Sequence, residues 1–110
     1  MCGISGCISE KRLLDSTISR TLESLTHRGP DANDFKVFNL QSQKYCYLLH
    51  NRLSIIDLDQ RSDQPIIYNG LNLIFNGEIY NYIELRDELI KVGYTFSTDG
   101  DGEVFIKLID

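Results

Sequence analysis

The stretch CGISGCI at residues 2–8 decides where this fold begins. Its apolar Ile4 and Ile8 stand among glycine, serine and cysteine, a composition that suits a strand closely approached by other backbone. We therefore predict a buried first strand, so that the chain starts inside the fold.

The next segments alternate between helical and extended patterns. Apolar residues recur at three- or four-residue spacing over 13–25, which predicts an amphipathic helix that Gly29-Pro30 ends. Over 34–57, apolar and aromatic residues are instead spaced in twos, which predicts a meander of three strands. The first half of the chain is thus expected to be one helix beside antiparallel strands.

The second half contains turn and helix signals. Asn69-Gly70 tolerates positive φ between two apolar runs, at 65–68 and 71–75, and so predicts a hairpin. Asn81 and Glu84 have capping-box spacing, and the helix that they would begin ends at Gly93. A short strand is predicted over 94–97, a turn over 99–102 and a further helix from Glu103. These blocks predict an α+β fold with largely antiparallel sheets and flanking helices.

Composition and charge exclude several classes of protein. The chain has 110 residues, enough for one modest domain, and a formal net charge of -5. That charge argues against a nucleic-acid partner or an anionic membrane surface. No apolar run approaches the roughly 18 residues of a membrane-spanning helix, so we expect no membrane partner and a cytoplasmic location.

The three cysteines do not form a disulfide or metal pattern. Cys7 and Cys46 are expected to be small buried hydrophobic residues. Cys2 differs, because removal of Met1 from a chain with a small second residue would leave a thiol and a free α-amine on one residue. The neutral amine titrates near ~8 and can accept the thiol proton, which makes Cys2 a candidate nucleophile with its own base. A buried structural cysteine is the alternative.

Other residue types could complete an acyl-transfer site. Asn76-Gly77 offers an amide side chain beside an unobstructed backbone N–H, a pair suited to an oxyanion hole, although a second hairpin turn is the alternative. Arg52 could bind a substrate carboxylate with two hydrogen bonds, while Glu78 and Asp101 could bind an ammonium group. Taken singly, each of these three is equally compatible with a solvated surface charge.

Metal and phosphate sites are not expected. The acidic turn at 99–102 lacks the glycine and the closing Glu of a calcium loop. His27 and His50 have no metal-ligand spacing, and no phosphate-binding glycine loop occurs. Both histidines are therefore expected to be structural.

Five segments together resemble the class II glutamine amidotransferases, and within that class the asparagine synthetases. The resemblance covers essentially the whole chain, with the motifs in the family's order and spacing. They lie at residues 2–6, 27–31, 50–58, 64–65 and 75–81.

This resemblance implies an αββα sandwich of the N-terminal nucleophile hydrolase type that hydrolyses glutamine. By position, Cys2 would be the nucleophile, and Asn76 and Gly77 the oxyanion hole. Glutamine would be bound by the remaining matched residues, namely Arg52, Leu53, Ile55, Glu78 and Asp101. One departure is Gly102, where the family usually has Thr or Cys.

The resemblance also predicts what this chain lacks. Residues 1–110 would be the N-terminal portion of a glutaminase domain and therefore an incomplete sandwich. The synthetase domain, in which ATP and Mg²⁺ serve the amidation of aspartate, would be absent. No cofactor is expected in this segment. The synthetase domain or subunit is the expected partner, with a homodimer in the full-length enzyme. A non-catalytic module of the same fold and an amidotransferase with another acceptor remain as alternatives.

Overall fold

The computed structural model describes residues 1–55 and 60–110. The first three strands are β1 (Gly3–Ser9), β2 (Ala32–Asn39) and β3 (Tyr45–Arg52). They form an antiparallel sheet in the order β1-β3-β2, so that β3 is central. A separate hairpin pairs β4 (Ile66–Tyr68) with β5 (Leu71–Leu73). Three helices flank the sheets: α1 (Asp15–Ser24), α2 (Tyr82–Lys91) and α3 (Asp101–Leu108). A 3-10 helix spans Gln60–Ser62. The predicted α+β class with antiparallel sheets and flanking helices is confirmed.

The core beneath the larger sheet is small. Ile18 of α1 packs against Tyr47 and Leu49 of β3, and all three are at most 5% exposed. The hydroxyl of Tyr47 accepts a hydrogen bond from the backbone N–H of Leu13 at 2.8 Å, which satisfies its polar end and fixes the entry to α1.

The predicted first strand forms, but only part of it is buried. A Cβ on Gly6 would lie 2.8 Å from the carbonyl oxygen of Tyr47, so the predicted close backbone approach is confirmed there. Ile4 and Ile8 are 44% and 63% exposed, and Cys7 is also exposed. The predictions of a buried strand and a buried Cys7 are therefore wrong, because most side chains on the faces of β1 remain open to solvent. Cys46, on the central strand β3, is half-buried.

The predicted meander over 34–57 contains two strands, not three, among the described residues. The alternating pattern continues past Arg52, yet the chain leaves the sheet because side chains take its next backbone N–H groups. Leu53 donates to the sulfur of Cys2, and Ser54 donates to the carboxylate of Asp31. The remainder of the predicted third strand, at 56 and 57, lies outside the described residues.

The hairpin prediction is confirmed, whereas the short strand predicted at 94–97 is wrong. Asn69 and Gly70 have φ of 45° and 80°, the positive values expected of a tight primed turn. Residues 94–97 form no strand in this described part of the chain. The backbone N–H groups of Ser97 and Thr98 donate to the Glu103 carboxylate, and so are unavailable to another strand.

The ends of the last two helices show what the local signals specify. The helix α2 begins after Asn81, as predicted, but the Asn81 side chain makes no capping hydrogen bond. Its end is confirmed, because Gly93 has φ of 106° and the N–H of Tyr94 returns to the carbonyl of Leu89. The last helix begins at Asp101, two residues earlier than predicted. None of the helices in the described ranges is long and apolar enough to cross a membrane.

Candidate functional site

The Cys2 side chain lies just before β1, against the backbone that follows β3. Its sulfur accepts the N–H of Leu53 at 3.3 Å and lies 3.7 Å from the Leu53 carbonyl oxygen. Arg28 donates from Nε to the carbonyl oxygen of Cys2 at 3.1 Å. A half-buried thiol is thus held in place by contacts from two distant segments.

The segment 27–31 fixes the end of β3 and contributes no residue to the cavity described below. A Cβ on Gly29 would lie 2.2 Å from the carbonyl oxygen of Asn51, so only glycine fits without a backbone shift. Asp31 donates its N–H to the Arg52 carbonyl at 3.0 Å, and its carboxylate accepts the N–H of Ser54 at 2.7 Å. His27, in the same segment, is exposed and contacts the Ser24 carbonyl.

Arg52 is the last residue of β3 and is only 6% exposed. Its Nη1 lies 2.6 Å from Oδ1 of Asp63, which forms a short, largely buried ion pair. No sequence pattern predicts this contact, because the two residues belong to different segments and no periodicity relates them. A ligand carboxylate at Arg52 would share the guanidinium with Asp63.

Residues 75–78 leave β5 without a returning strand, so the Asn76-Gly77 pair is not a hairpin turn. The N–H of Phe75 donates to Oε1 of Gln64. A Cβ on Gly77 would lie 2.8 Å from the Phe75 ring, which shows how closely this segment folds on itself. Asn76 is half-buried, while Gly77 and Glu78 are exposed.

Asp101 is brought to the same region by the start of α3. Its Oδ2 accepts the N–H of Ile79 at 3.0 Å, which ties the first turn of α3 to the segment that follows Glu78. One carboxylate oxygen is therefore engaged by the backbone. The carboxylate also lines the cavity, where it could bind a cation.

A buried ion pair supports this end of α3. Lys107 Nζ lies 2.6 Å from Oε1 of Glu103, and both residues are at most 7% exposed. Burial acts to raise the pKa of Glu103, but hydrogen bonds from Lys107, from Thr98 and from the N–H groups of Ser97 and Thr98 outweigh it. They lower that pKa to about 2. Glu103 is therefore a fully ionised anchor for the loop before α3.

His50, on β3, is 1% exposed and its Nε2 has no hydrogen-bond partner among the described residues. Burial lowers the pKa of this imidazole, with a contact to the Phe75 backbone acting in the opposite direction. The ring is therefore neutral at physiological pH and behaves as a packed core residue.

All eight residues predicted for the site line one cavity of about 320 Å³. They come from four separated stretches, and the volume suits a small metabolite. Sequence reasoning did not assign several other lining residues, including Gln64, Tyr80 and Glu103. The predicted residues are Cys2, Arg52, Leu53, Ile55, Asn76, Gly77, Glu78 and Asp101.

The chemistry of this lining is that of a nucleophile beside a charged recognition site. A thiol, a guanidinium and carboxylates surround the same space, which would suit a zwitterionic substrate with a reactive carbonyl carbon. Within residues 1–55 and 60–110, no group of three or more His, Cys, Asp or Glu side chains is placed to hold a metal ion.

Comparison with known proteins adds a family. Residues 1–110 match the family described as the glutamine amidotransferase domain. The chain is 40% identical over 113 residues to glutamine-hydrolysing asparagine synthetase 1 of Bacillus subtilis, covering 96% of this chain and 17% of that protein. It is 38% identical over 115 residues to the Sandersonia aurantiaca enzyme of the same description, covering 100% and 20%. A putative asparagine synthetase 2 of Methanocaldococcus jannaschii is 33% identical over 125 residues, covering 98% and 24%. The chain thus spans about a fifth of the length of these relatives.

Proposed function

The chain belongs to the glutamine amidotransferase domain family, and from that membership we propose that its cavity binds glutamine and hydrolyses the side-chain amide. The observation that carries this proposal is the convergence of the eight predicted residues on one cavity. A chance set of charged residues would not be expected to surround a cysteine in this way.

The proposed nucleophile is the thiolate of Cys2. In the chain as described, the nitrogen of Cys2 is in a peptide bond to Met1, which itself lines the cavity. Removal of Met1 would both free the α-amine and open space beside the thiol. The amine then accepts the thiol proton, and the sulfur attacks the amide carbon of glutamine.

The proposed oxyanion hole consists of the Asn76 side chain and the N–H of Gly77. The C–N bond breaks as the amine returns its proton to the leaving nitrogen, which departs as ammonia and leaves a γ-glutamyl thioester. Water then adds to the thioester carbon, and glutamate and the free thiol are released. Donors fixed before reaction stabilise the charge in both tetrahedral intermediates without reorganisation.

Recognition of glutamine is assigned to the charged residues of the cavity. Arg52 binds the α-carboxylate, and its pairing with Asp63 holds the guanidinium in place. Asp101 and Glu78 bind the α-ammonium, with Asp101 already oriented by the N–H of Ile79. The backbone near Leu53 and Ile55 completes the wall.

Several wider features are proposed on the strength of the family. The antiparallel sheets and flanking helices are compatible with an αββα sandwich of the N-terminal nucleophile hydrolase type. The relatives are named asparagine synthetases, so the ammonia is proposed to amidate aspartate in a synthetase domain or subunit, within a cytoplasmic homodimeric enzyme. ATP and Mg²⁺ would serve that step, with no cofactor in the segment described here.

The test is the intact mass of the purified chain before and after exposure to a diazoketone analogue of glutamine. We expect loss of Met1, followed by one adduct on Cys2 with loss of N₂. The exposed Cys7 is an internal control, because it is accessible to reagent but lies outside the cavity.

A matched Cys2→Ala variant should take up no label, and excess glutamine should slow labelling of the wild-type chain. Labelling of Cys7 in place of Cys2, or labelling that glutamine does not slow, would overturn the proposal.

A further inference from the structure

The Gln64 side chain links two walls of the cavity. It lines the cavity itself, and its Oε1 accepts the backbone N–H of Phe75. Because that N–H is a donor, the oxygen of the amide must face it, and the nitrogen must face elsewhere. A Cβ on Gly102 would lie 3.8 Å from Nε2, so the nitrogen lies beside the first turn of α3.

The Phe75 ring packs closely against the backbone of Gly77, two residues later. A Cβ on Gly77 would lie 2.8 Å from both Cε2 and Cζ of the Phe75 ring. The ring also packs against Phe105 of α3, with centroids 5.2 Å apart. Movement of the Phe75 backbone would therefore move the ring that Gly77 folds over, and with it the Gly77 N–H.

The segment 75–77 also contacts His50 through the Phe75 backbone, but it has no strand partner among the described residues. It lies between β5, which ends at Leu73, and α2, which begins at Tyr82, so no sheet ladder fixes residues 75–77. Irregular backbone of this kind needs side-chain partners for its N–H groups. Gln64 supplies one such partner immediately before Asn76.

We propose that Gln64 is a positioning residue for glutamine hydrolysis, which sets the donors of Asn76 and Gly77 by holding the N–H of Phe75. This inference rests on the function proposed above. Oxyanion donors must be held within about 0.5 Å of their productive position, and loss of one costs about 100- to 1000-fold in rate. Misplacement rather than loss should cost less, about 10- to 100-fold in kcat.

Substrate affinity should change little, because Arg52 belongs to β3 and its guanidinium is paired with Asp63. Removal of the Gln64 acceptor is therefore expected to lower kcat while KM stays within about threefold. A purely structural role, in which the whole cavity loosens, would instead raise KM as well.

The experiment compares the full chain with Gln64→Met, which has similar length without the acceptor, and Gln64→Glu, which keeps an acceptor oxygen. Gln41→Met changes an exposed turn residue in the same way and is the matched control. We expect kcat for glutamine hydrolysis to fall at least tenfold in Gln64→Met. Gln64→Glu should lie closer to the wild type in kcat, and Gln41→Met should equal it.

A second measurement uses the aldehyde analogue of glutamine. The Cys2 sulfur adds to the aldehyde carbon, and the former carbonyl oxygen takes up the proton, so a hemithioacetal forms and nothing leaves. This oxygen occupies the place of the oxyanion. The inhibition constant of the aldehyde should therefore rise in Gln64→Met by a factor similar to the fall in kcat. The inhibition constant of glutamate should not rise.

Amide hydrogen exchange tests the contact independently of catalysis. The amides of Phe75, Asn76 and Gly77 should exchange at least tenfold faster in Gln64→Met, while those of Tyr47 and Leu49 in the core should not change, which also shows that the variant is folded. If the wild-type chain hydrolyses glutamine, an unchanged exchange rate at Phe75 or an unchanged kcat in Gln64→Met would refute the role of Gln64 but not the proposed function. A wild-type chain that neither hydrolyses glutamine nor binds the aldehyde would refute the proposed function, and the positioning role with it.

Discussion

The buried pair of Glu103 and Lys107 predicts a specific dependence of stability on pH. The carboxylate has its pKa lowered from 4.5 to about 2 in the folded chain. Between these values the unfolded chain binds more protons, so its population rises and stability falls as pH decreases through this window. The stabilisation is present in full above about pH 5.

The magnitude follows from the two pKa values. At about pH 3, the unfolded carboxyl is almost fully protonated and the native one almost fully ionised, so the loss is about 1.5 pH units at 1.36 kcal/mol each. Glu103 should therefore contribute about 2 kcal/mol less to the free energy of unfolding at pH 3 than at pH 5.5.

The assay is urea unfolding of the wild-type chain and Glu103→Gln at both pH values, followed by circular dichroism. At pH 5.5 the variant should be less stable by about 3 kcal/mol, since it leaves the Lys107 ammonium buried without its counter-charge. The difference should shrink by about 2 kcal/mol at pH 3. Glu88→Gln, at an exposed position of α2, is the control and should show a difference that does not depend on pH. A constant wild-type minus Glu103→Gln difference would refute the lowered pKa.

Two further outcomes are expected from the geometry of the site. Gly29→Ala should destabilise the chain by about 3 kcal/mol, the upper end of overpacking costs, because its Cβ would meet the Asn51 carbonyl at 2.2 Å. Gly93→Ala, where φ is 106° but the space is open, should cost only about 1 kcal/mol in the same urea titration, and equal losses would contradict the steric argument. Arg52→Lys should raise KM for glutamine about tenfold or more, since a point charge replaces a fork that binds carboxylate with two hydrogen bonds. The control substrate is a glutamine derivative whose α-carboxylate is replaced by an amide, and its KM should not rise in Arg52→Lys. An equal rise in KM for both substrates would exclude carboxylate binding by Arg52.

The eight residues proposed for the site follow from motifs that lie in short segments of recognisable order, and all eight line the cavity. The patterns did less well where the outcome depends on contacts between segments. The alternation beyond Arg52 predicted a third strand, but Cys2 and Asp31 take the backbone donors that such a strand would need. Likewise the residues from Tyr94 to Ser97 have strand character, and Glu103 diverts the backbone that follows them.

Exposure was the second source of error, and it has a different physical origin. The residue types of β1 specify a strand but not how many neighbours cover each face, so Ile8 and Cys7 were expected in the core and are exposed.

The ion pair of Arg52 with Asp63 was missed because a salt bridge between distant segments leaves no periodicity in the sequence. Both errors concern tertiary packing, which overrides local preference.

The cavity walls share a structural basis that links stability to activity. Each is irregular backbone whose N–H is satisfied by a side chain from another segment, in place of a sheet ladder. Loss of one such contact leaves the core of Ile18, Tyr47 and Leu49 intact but frees one wall, so local opening should abolish hydrolysis before global unfolding is detected. Side chains that hold this backbone are therefore expected to affect the proposed hydrolysis even where they do not contact the substrate. The contacts are Cys2 with Leu53, Asp31 with Ser54, Gln64 with Phe75, and Asp101 with Ile79.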